Sequence, residues 1–282
     1  MRDENAPSLT AFFSAAARAA HPLVDDAPHL IEDTVALALC RVQTPSPLDY
    51  QLYRPSEPIL AAARLSACMR SHVAEQVMRA SDFSQYLVLG AGLDTSAHNF
   101  VTSTALTWLV DLPGVLDWRS GLFEQAGKKD VGTYVPGDLS AGIPFAELRS
   151  SGLDFNQPVL VSWLGVSMYL DTSSNEAMLT ELAKLPSGSE IIFDYMAPPE
   201  WRDEQGKIYA LELTKVAGGA GEPWRTTPDP GTVETWLTEA GWTVISDVAE
   251  ADAAPSGFWP RNDALTPMRV ARIVRARLDS RS

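Results

Sequence analysis

Residues 85–95 read QYLVLGAGLDT, and this stretch decides the predicted fold. An apolar run typical of a strand, QYLVL, stops at Gly90, and Gly90-Ala91-Gly92 leads into helical apolar spacing near residues 94–101. Glycines let a loop bring bare backbone against a ligand, and a helix N-terminus offers unpaired N–H groups. Strand, glycine loop and helix in this order predict a ligand-binding loop of an α/β protein.

Short apolar or β-branched runs alternate with helical segments through the rest of the chain. The predicted strands are QYLVLG (85–90), ALTWLVDLP (105–113), TYVPGDL (133–139), PVLVSWLG (158–165), SEIIFDY (189–195), WTVISDV (242–248) and MRVARIV (268–274). The later predicted helices lie near 113–127, 173–184 and 232–240. This alternation predicts a doubly wound, mostly parallel sheet with crossover helices, and it leaves open an antiparallel course for the last strand.

The chain lacks repeats and linkers, which predicts a single domain over residues 1–282. Residues 1–80 show helical spacing at 8–20, 31–41 and 57–79, with prolines between the pieces, and are interpreted as a helical cap. The α/β core is predicted to comprise 85–195 and 230–282. Residues 196–230 interrupt it and are interpreted as a lid insertion over the carboxyl ends of the strands, where ligands bind in such sheets.

Composition narrows the class of protein. The 282 residues are 45% apolar and carry a net charge of -14, which excludes intrinsic disorder and disfavours a nucleic-acid partner. Cys40 and Cys68 lie in apolar helical patterns, as buried thiols do, and a reducing cytoplasmic location is predicted. The polar, acidic start and the short AFFSAAARAA run predict no signal peptide and no membrane span. No metal-ligand spacing is present.

An acidic residue at the end of the second strand indicates the kind of cofactor. Asp111 stands where a carboxylate accepts both hydroxyls of a ribose, which suits a dinucleotide or S-adenosylmethionine. A pyrophosphate loop places a third glycine at the position of Thr95, and Asp94 would put a negative charge near a phosphate. These residues favour S-adenosylmethionine, with an NAD(P)-linked oxidoreductase as an alternative.

The chain as a whole resembles a known family. The resembling stretches are SLTAFFSAAARAAHPLVDD, RSHVAEQ, YLVLGAGLDTSAH, VDLPGVLDWR, VPGDLS, SWLGVSMYL, IIFDY, GEPWRTTPDPGTVETWLTEAGW and the Arg-rich last strand. They are similar to class I S-adenosylmethionine-dependent methyltransferases of the leucine carboxyl methyltransferase family, especially bacterial members of secondary metabolism. The resemblance implies a Rossmann-like methyltransferase fold with S-adenosylmethionine as cofactor.

The resemblance also implies a set of cofactor-binding residues. Arg70 matches an arginine over the methionine carboxylate, Asp111 would hold the ribose, and Asp138 would accept the adenine amino group. Asp138 also reads as a helix cap or turn residue. The full set is Arg70, Gly90, Ala91, Gly92, Asp111, Leu112, Asp138, Leu139 and Trp163.

Two departures from the family pattern bear on activity. Many relatives have a glutamate after the fourth strand that contacts the amino group of the cofactor, and Leu164 occupies that position here. Where many bacterial relatives read GLDTRAYR, this chain reads GLDTSAHN, which introduces His98 and Asn99. A catalytically idle protein that binds a ligand or a partner is therefore a second alternative.

The acceptor side is less defined by the sequence. Methyl transfer from a sulfonium requires in-line positioning and exclusion of water, and a carboxylate acceptor is already ionised at pH 7. No histidine follows residue 98, which favours a carboxyl acceptor or a hydroxyl acceptor methylated by proximity. Candidates for catalytic contacts are Tyr169, Tyr195 and His98, and candidates for substrate binding are Trp224 and Arg225. The acceptor is predicted to be a small molecule.

Overall fold

The computed structural model describes residues 9–99, 105–219 and 223–279. Its strands are β1 (Gln85–Leu89), β2 (Leu106–Asp111), β3 (Thr133–Pro136), β4 (Leu160–Trp163), β5 (Glu190–Met196), β6 (Trp242–Ala249) and β7 (Ala271–Leu278). They form a seven-stranded sheet in the order β3-β2-β1-β4-β5-β7-β6. β1 to β5 run parallel, and β7 runs antiparallel to β5 and β6. The doubly wound, mostly parallel sheet is confirmed, and the last strand is antiparallel.

Helices cover both faces of the sheet. They are α1 (Leu9–Val24), α2 (Thr34–Arg41), α3 (Pro47–Tyr53), α4 (Pro58–Arg79), α5 (Ser96–Asn99), α6 (Pro113–Gln125), α7 (Phe145–Ser150), α8 (Thr172–Leu182), α9 (Glu204–Gly219) and α10 (Pro230–Glu239). Residues 1–8 of the predicted cap, 100–101 of the predicted helix near 94–101, 220–222 of the predicted lid and 280–282 lie outside the described residues.

The sequence missed details of the helical cap. α1 continues through Pro22, which lies in the last turn, so that the proline removes only one of the final i→i−4 backbone hydrogen bonds. α3 was not predicted, although its signal is local: Ser46 accepts from the Leu48 N–H at 3.3 Å, and the Asp49 carboxylate accepts from the Ser46 N–H at 3.3 Å. This reciprocal pair, followed by Pro47, forms a capping box.

The central strands are buried on both faces, as expected where crossover helices cover both sides of a parallel sheet. Alternate residues point to opposite faces: Val88 and Ile192 pack toward α4, whereas Leu87 and Phe193 pack toward α8 and α10. In the cap, Arg64 is fully buried and binds Asp25 through two hydrogen bonds of 2.8 Å. No helix in the described ranges is long and apolar enough to cross a bilayer.

Candidate active site

A cavity of about 810 Å³ lies at the carboxyl ends of the parallel strands. The loops after β1, β2, β3 and β4 form one side of it. The cap helices α1, α3 and α4 and the segment predicted as a lid form the rest, the latter through Tyr209 and Leu213 of α9 and the following Pro223 and Arg225. Its volume is at the upper end of the range for small-molecule sites, which suits a cofactor together with an acceptor.

The loop after β1 requires its glycines. Gly90 and Gly92 have φ angles of +68° and +43°, a region that disfavours side chains. A Cβ on Gly90 would overlap the Val166 side chain, and one on Gly92 would lie 3.0 Å from the Ala11 Cβ of α1. Both glycines, with Ala91 between them, line the cavity, so that bare backbone faces the ligand space.

Asp111 is held at the wall of the same cavity. Its two carboxylate oxygens accept from the backbone N–H of Gly92 at 2.7 Å and of Leu112 at 2.8 Å. The ends of β1 and β2 are thereby joined, and the carboxylate has a fixed orientation where a ribose is expected.

The loop after β3 carries the residues predicted for adenine. Asp138 and Leu139 line the cavity, as does Leu112. Asp138 also closes a turn, because its Oδ1 accepts from the Ser140 N–H at 2.9 Å and hydroxyl at 2.7 Å. The turn role and a cavity position are therefore compatible.

Arg70 of α4 reaches the cavity beside the glycine loop. Its Nη2 donates to the Ser14 hydroxyl of α1 at 2.9 Å, and its Nη1 lies 3.8 Å from Oδ2 of Asp194. Arg18, also on α1, donates to the Leu93 carbonyl at 2.6 Å and to Asp33 at 2.9 Å. Sequence reasoning missed Ser14 and Arg18. The available signal was a lone arginine inside an alanine-rich run, which must find partners when it is buried.

His98, predicted as a catalytic contact, does not line the cavity. Its Nε2 lies 2.9 Å from Asp130, which is also bound by Arg119 at 2.6 Å and by the Tyr134 hydroxyl at 2.7 Å. Burial opposes ionisation of Asp130, but the hydrogen bonds from His98 and Arg119 outweigh it and lower the pKa of Asp130. Arg119 also donates to the carbonyl of Asp94 at 2.6 Å. His98 therefore belongs to a hydrogen-bonded cluster with Arg119, Asp130 and Tyr134 that lies behind the glycine loop and is called the brace.

Trp163, predicted to bind the cofactor, and Tyr195, predicted as a catalytic contact, also lie outside the cavity lining. Both point to the sheet face covered by α8 and α10, away from the cavity. The Tyr195 hydroxyl donates to Asp247 at 2.9 Å, and burial followed by the Asp247 charge raises the Tyr195 pKa. A tyrosine held in this way is unsuited to orient a substrate at the opposite face.

The remaining candidates for contacts with the acceptor differ in whether they line the cavity. Tyr169 and Arg225 line the cavity, and Trp224 does not. Trp224 is half-buried against the hydrophobic core on the α4 face, and the guanidinium of Arg202 lies 5.6 Å from its ring. Arg225 is held by its backbone, whose N–H donates to the Met168 carbonyl at 2.8 Å.

Comparison with known proteins identifies the family. The model of the leucine carboxyl methyltransferase family matches residues 11–183, which is more than half of the chain. The chain belongs to this family. The match includes α1, Arg70, the glycine loop, Asp111 and Asp138, the residues that line the cofactor side of the cavity. Family membership and the names of the relatives identify the cofactor as S-adenosylmethionine rather than a dinucleotide.

Individual relatives agree with this assignment. Bacillus subtilis "Putative S-adenosyl-L-methionine-dependent methyltransferase YktD" is 25% identical over 97% of this chain and 98% of its own length. A Frankia alni protein with the same description, FRAAL3836, is 30% identical over 66% of each chain. Among solved structures, a DUF574 family protein from Streptomyces avermitilis has a TM-score of 0.61 at 18% identity, covering 86% of this chain and 95% of the other. The last similarity shows a shared fold.

Asp111→Ala tests the cofactor site. The substitution removes the acceptors expected to hold the ribose hydroxyls and frees the loop at Gly92, so the affinity for S-adenosylhomocysteine should fall by roughly 1.5 to 3 kcal/mol, about 10- to 150-fold. Calorimetric titration measures this change. Asp117→Ala on the exposed face of α6 is the matched control and should bind as the wild type does. Unchanged affinity of Asp111→Ala would remove this carboxylate from the site.

Proposed function

We propose that the protein methylates the carboxylate of a small, largely apolar organic acid of secondary metabolism, in the cytoplasm. The distribution of charge around the cavity carries this proposal. The acidic residues that line it, Asp94, Asp111 and Asp138, all lie at or just after the ends of strands on the cofactor side. The acceptor side is formed mainly by apolar and tyrosine side chains of α3, α4, α9 and the loop after β4.

Arg225 is the charged group that an acceptor would meet on that side. Of the other lining arginines, Arg18 is bound to Asp33 and Arg70 faces Asp194. Among the described residues, Arg225 forms no ion pair within 4.0 Å and is exposed at the cavity rim. A nearby acidic residue is Asp171, whose pKa is lowered first by hydrogen bonds from Ser174 and further by the Arg225 charge. A cation beside apolar walls matches an anion with an apolar body.

S-adenosylmethionine supplies an electrophilic methyl group on its sulfonium. The chain has to hold the acceptor oxygen in line and to exclude water. Arg70, the glycine loop and Asp111 would fix the cofactor, Tyr169 and Arg225 would orient the acid, and α1 and α9 would cover the cavity. A carboxylate acceptor carries no proton to remove, so its methylation needs no general base. The positions of His98 and Tyr195 outside the cavity are therefore compatible with this reaction.

The test is methyl transfer from tritiated S-adenosylmethionine to a panel of apolar carboxylic acids and matched phenols. A methyl ester releases volatile methanol in mild alkali, whereas a methyl ether does not. We expect alkali-labile product from the acids. Label retained after alkali would indicate hydroxyl methylation, and binding of the cofactor with no transfer to either class would favour the idle alternative.

Arg225→Met should raise KM for the best acid by about fivefold, corresponding to about 1 kcal/mol for an exposed ion pair, with a small change in kcat. Steady-state kinetics at fixed cofactor concentration measure this effect. Arg269→Met is the control, because Arg269 is bound to Asp252 and does not line the cavity. An unchanged KM for Arg225→Met would remove the cation from acceptor binding.

A further inference from the structure

Asp194 of β5 has one carboxylate oxygen without a hydrogen-bond partner. Its Oδ1 accepts from the Gly165 N–H at 2.6 Å, whereas Oδ2 accepts no hydrogen bond from any residue that the structure describes. The side chain is 1% exposed. A buried acceptor left unpaired is costly, and an unpaired carboxylate is more so.

The register of the sheet places this carboxylate beside the cavity wall. Trp163 of β4 pairs with Phe193 of β5, so the next position sets Leu164 beside Asp194. Asp194 also shares a strand face with Met196, two residues along. Leu164, Gly165, Met196 and Arg70 all line the cavity. The acidic side chain that is absent at Leu164 is therefore present on the neighbouring strand.

The contact of Asp194 with Arg70 leaves both groups available to a ligand. Nη1 of Arg70 is 3.8 Å from Oδ2, beyond hydrogen-bond distance, while Nη2 donates to Ser14. Burial raises the pKa of Asp194 and the Arg70 charge opposes this. A cation that approached Oδ2 would therefore gain a strong partner in a site of low dielectric.

We infer that Asp194 binds the α-ammonium group of S-adenosylmethionine while Arg70 binds its α-carboxylate. The methionine end of the cofactor carries these two charges on one carbon. Arg70 at the cavity wall and Asp194 directly behind it present a cation and an anion side by side. When the cofactor binds, the Arg70 guanidinium pairs with the cofactor carboxylate instead of Asp194. The cofactor ammonium then takes the place of the guanidinium beside Oδ2 of Asp194. Each of the two charges at the methionine end of the cofactor is then paired with an opposite charge of the protein.

The test compares ligands that differ in the ammonium group. Calorimetry is performed with S-adenosylhomocysteine and with its desamino analogue, which retains the carboxylate. The wild type should bind the desamino analogue at least about 10-fold more weakly. Asp194→Asn keeps an acceptor for Gly165, and it should lose about 10- to 100-fold in affinity for S-adenosylhomocysteine but less than about threefold for the analogue.

Three further comparisons exclude a merely structural effect. Asp247→Asn, on the opposite sheet face, should preserve the discrimination between the two ligands. Adding Leu164→Glu to Asp194→Asn should restore part of it, because the two positions are neighbours. Equal losses for both ligands, or none for either, would overturn the inference. If Asp194→Asn does not fold, equal wild-type affinities for the two ligands would overturn it as well. No acceptor is used, so the outcome is independent of the proposed carboxyl methylation.

Discussion

Replacement of Arg119 by methionine is expected to lower the free energy of unfolding by about 3 to 5 kcal/mol, the scale for removing one partner of a buried ion pair. Arg119 is fully buried on α6 and binds Asp130 through Nε at 2.6 Å. It also donates to the carbonyls of Gly92 at 3.2 Å and Asp94 at 2.6 Å. Methionine fills a similar volume but leaves Asp130 and two carbonyls without these donors.

The same substitution should weaken binding of S-adenosylhomocysteine, because the carbonyls that lose a donor belong to the glycine loop. Urea denaturation and calorimetry measure the two effects. Arg149→Met, an exposed arginine on α7, should cost less than about 1 kcal/mol. Adding Asp130→Asn to Arg119→Met removes the unpaired charge and should recover part of the lost stability. An Arg119→Met protein as stable as the wild type would show that the brace contributes nothing to folding.

The parts of the site that the sequence predicted are local. Gly90 and Gly92 follow a strand and need positive φ, and Asp111 ends the adjacent strand, so strand ends and loop composition bring them together. Such features depend on a few consecutive residues and on the parallel order of β1 and β2. The same reasoning located all seven strands of the sheet.

For the predicted site residues that lie on strands, the position relative to the cavity depends on which sheet face the residue occupies. Trp163 and Tyr195 end strands at the ligand side of the sheet, as predicted, but they point toward α8 and α10. Their neighbours Leu164 and Asp194 have the opposite parity: Leu164 lines the cavity, and Asp194 lies buried behind the cavity wall, next to Arg70 of α4. Alternation along a strand is visible in the sequence, but the face that carries the cavity is set by the distant helices α1 and α4.

Glu250 shows a second limit of sequence reasoning, because nothing local marks it as buried. It directly follows β6 and is 1% exposed. Its carboxylate accepts from the backbone N–H groups of Val270 and Ala271 at 3.3 Å and from the Ser66 hydroxyl of α4. Burial raises the pKa of Glu250 to about 7, against opposition from these hydrogen bonds and from Arg70.

A raised pKa in the folded state makes stability depend on pH with a definite sign. The unfolded chain releases this proton near pH 4.5, whereas the folded chain retains it to about pH 7. Below pH 4.5 the group is neutral in both states and contributes nothing. As the pH rises from there through the folded pKa, ionisation increasingly favours the unfolded state, and above that pKa the full penalty remains.

Glu250→Gln should therefore gain stability relative to the wild type as the pH rises. Between pH 5 and pH 8, its free energy of unfolding minus that of the wild type should increase by about 2 to 3 kcal/mol. Urea denaturation at both pH values measures the difference. The contributions of other titrating groups, including Glu75, whose pKa burial also raises to about 7, cancel between the two proteins. The free energy of unfolding of Glu176→Gln, a substitution at an exposed position on α8, should depend on pH in the same way as that of the wild type. If the free energy of unfolding of Glu250→Gln also depends on pH as that of the wild type does, Glu250 ionises equally well in the folded and unfolded chains, in spite of its burial against α4.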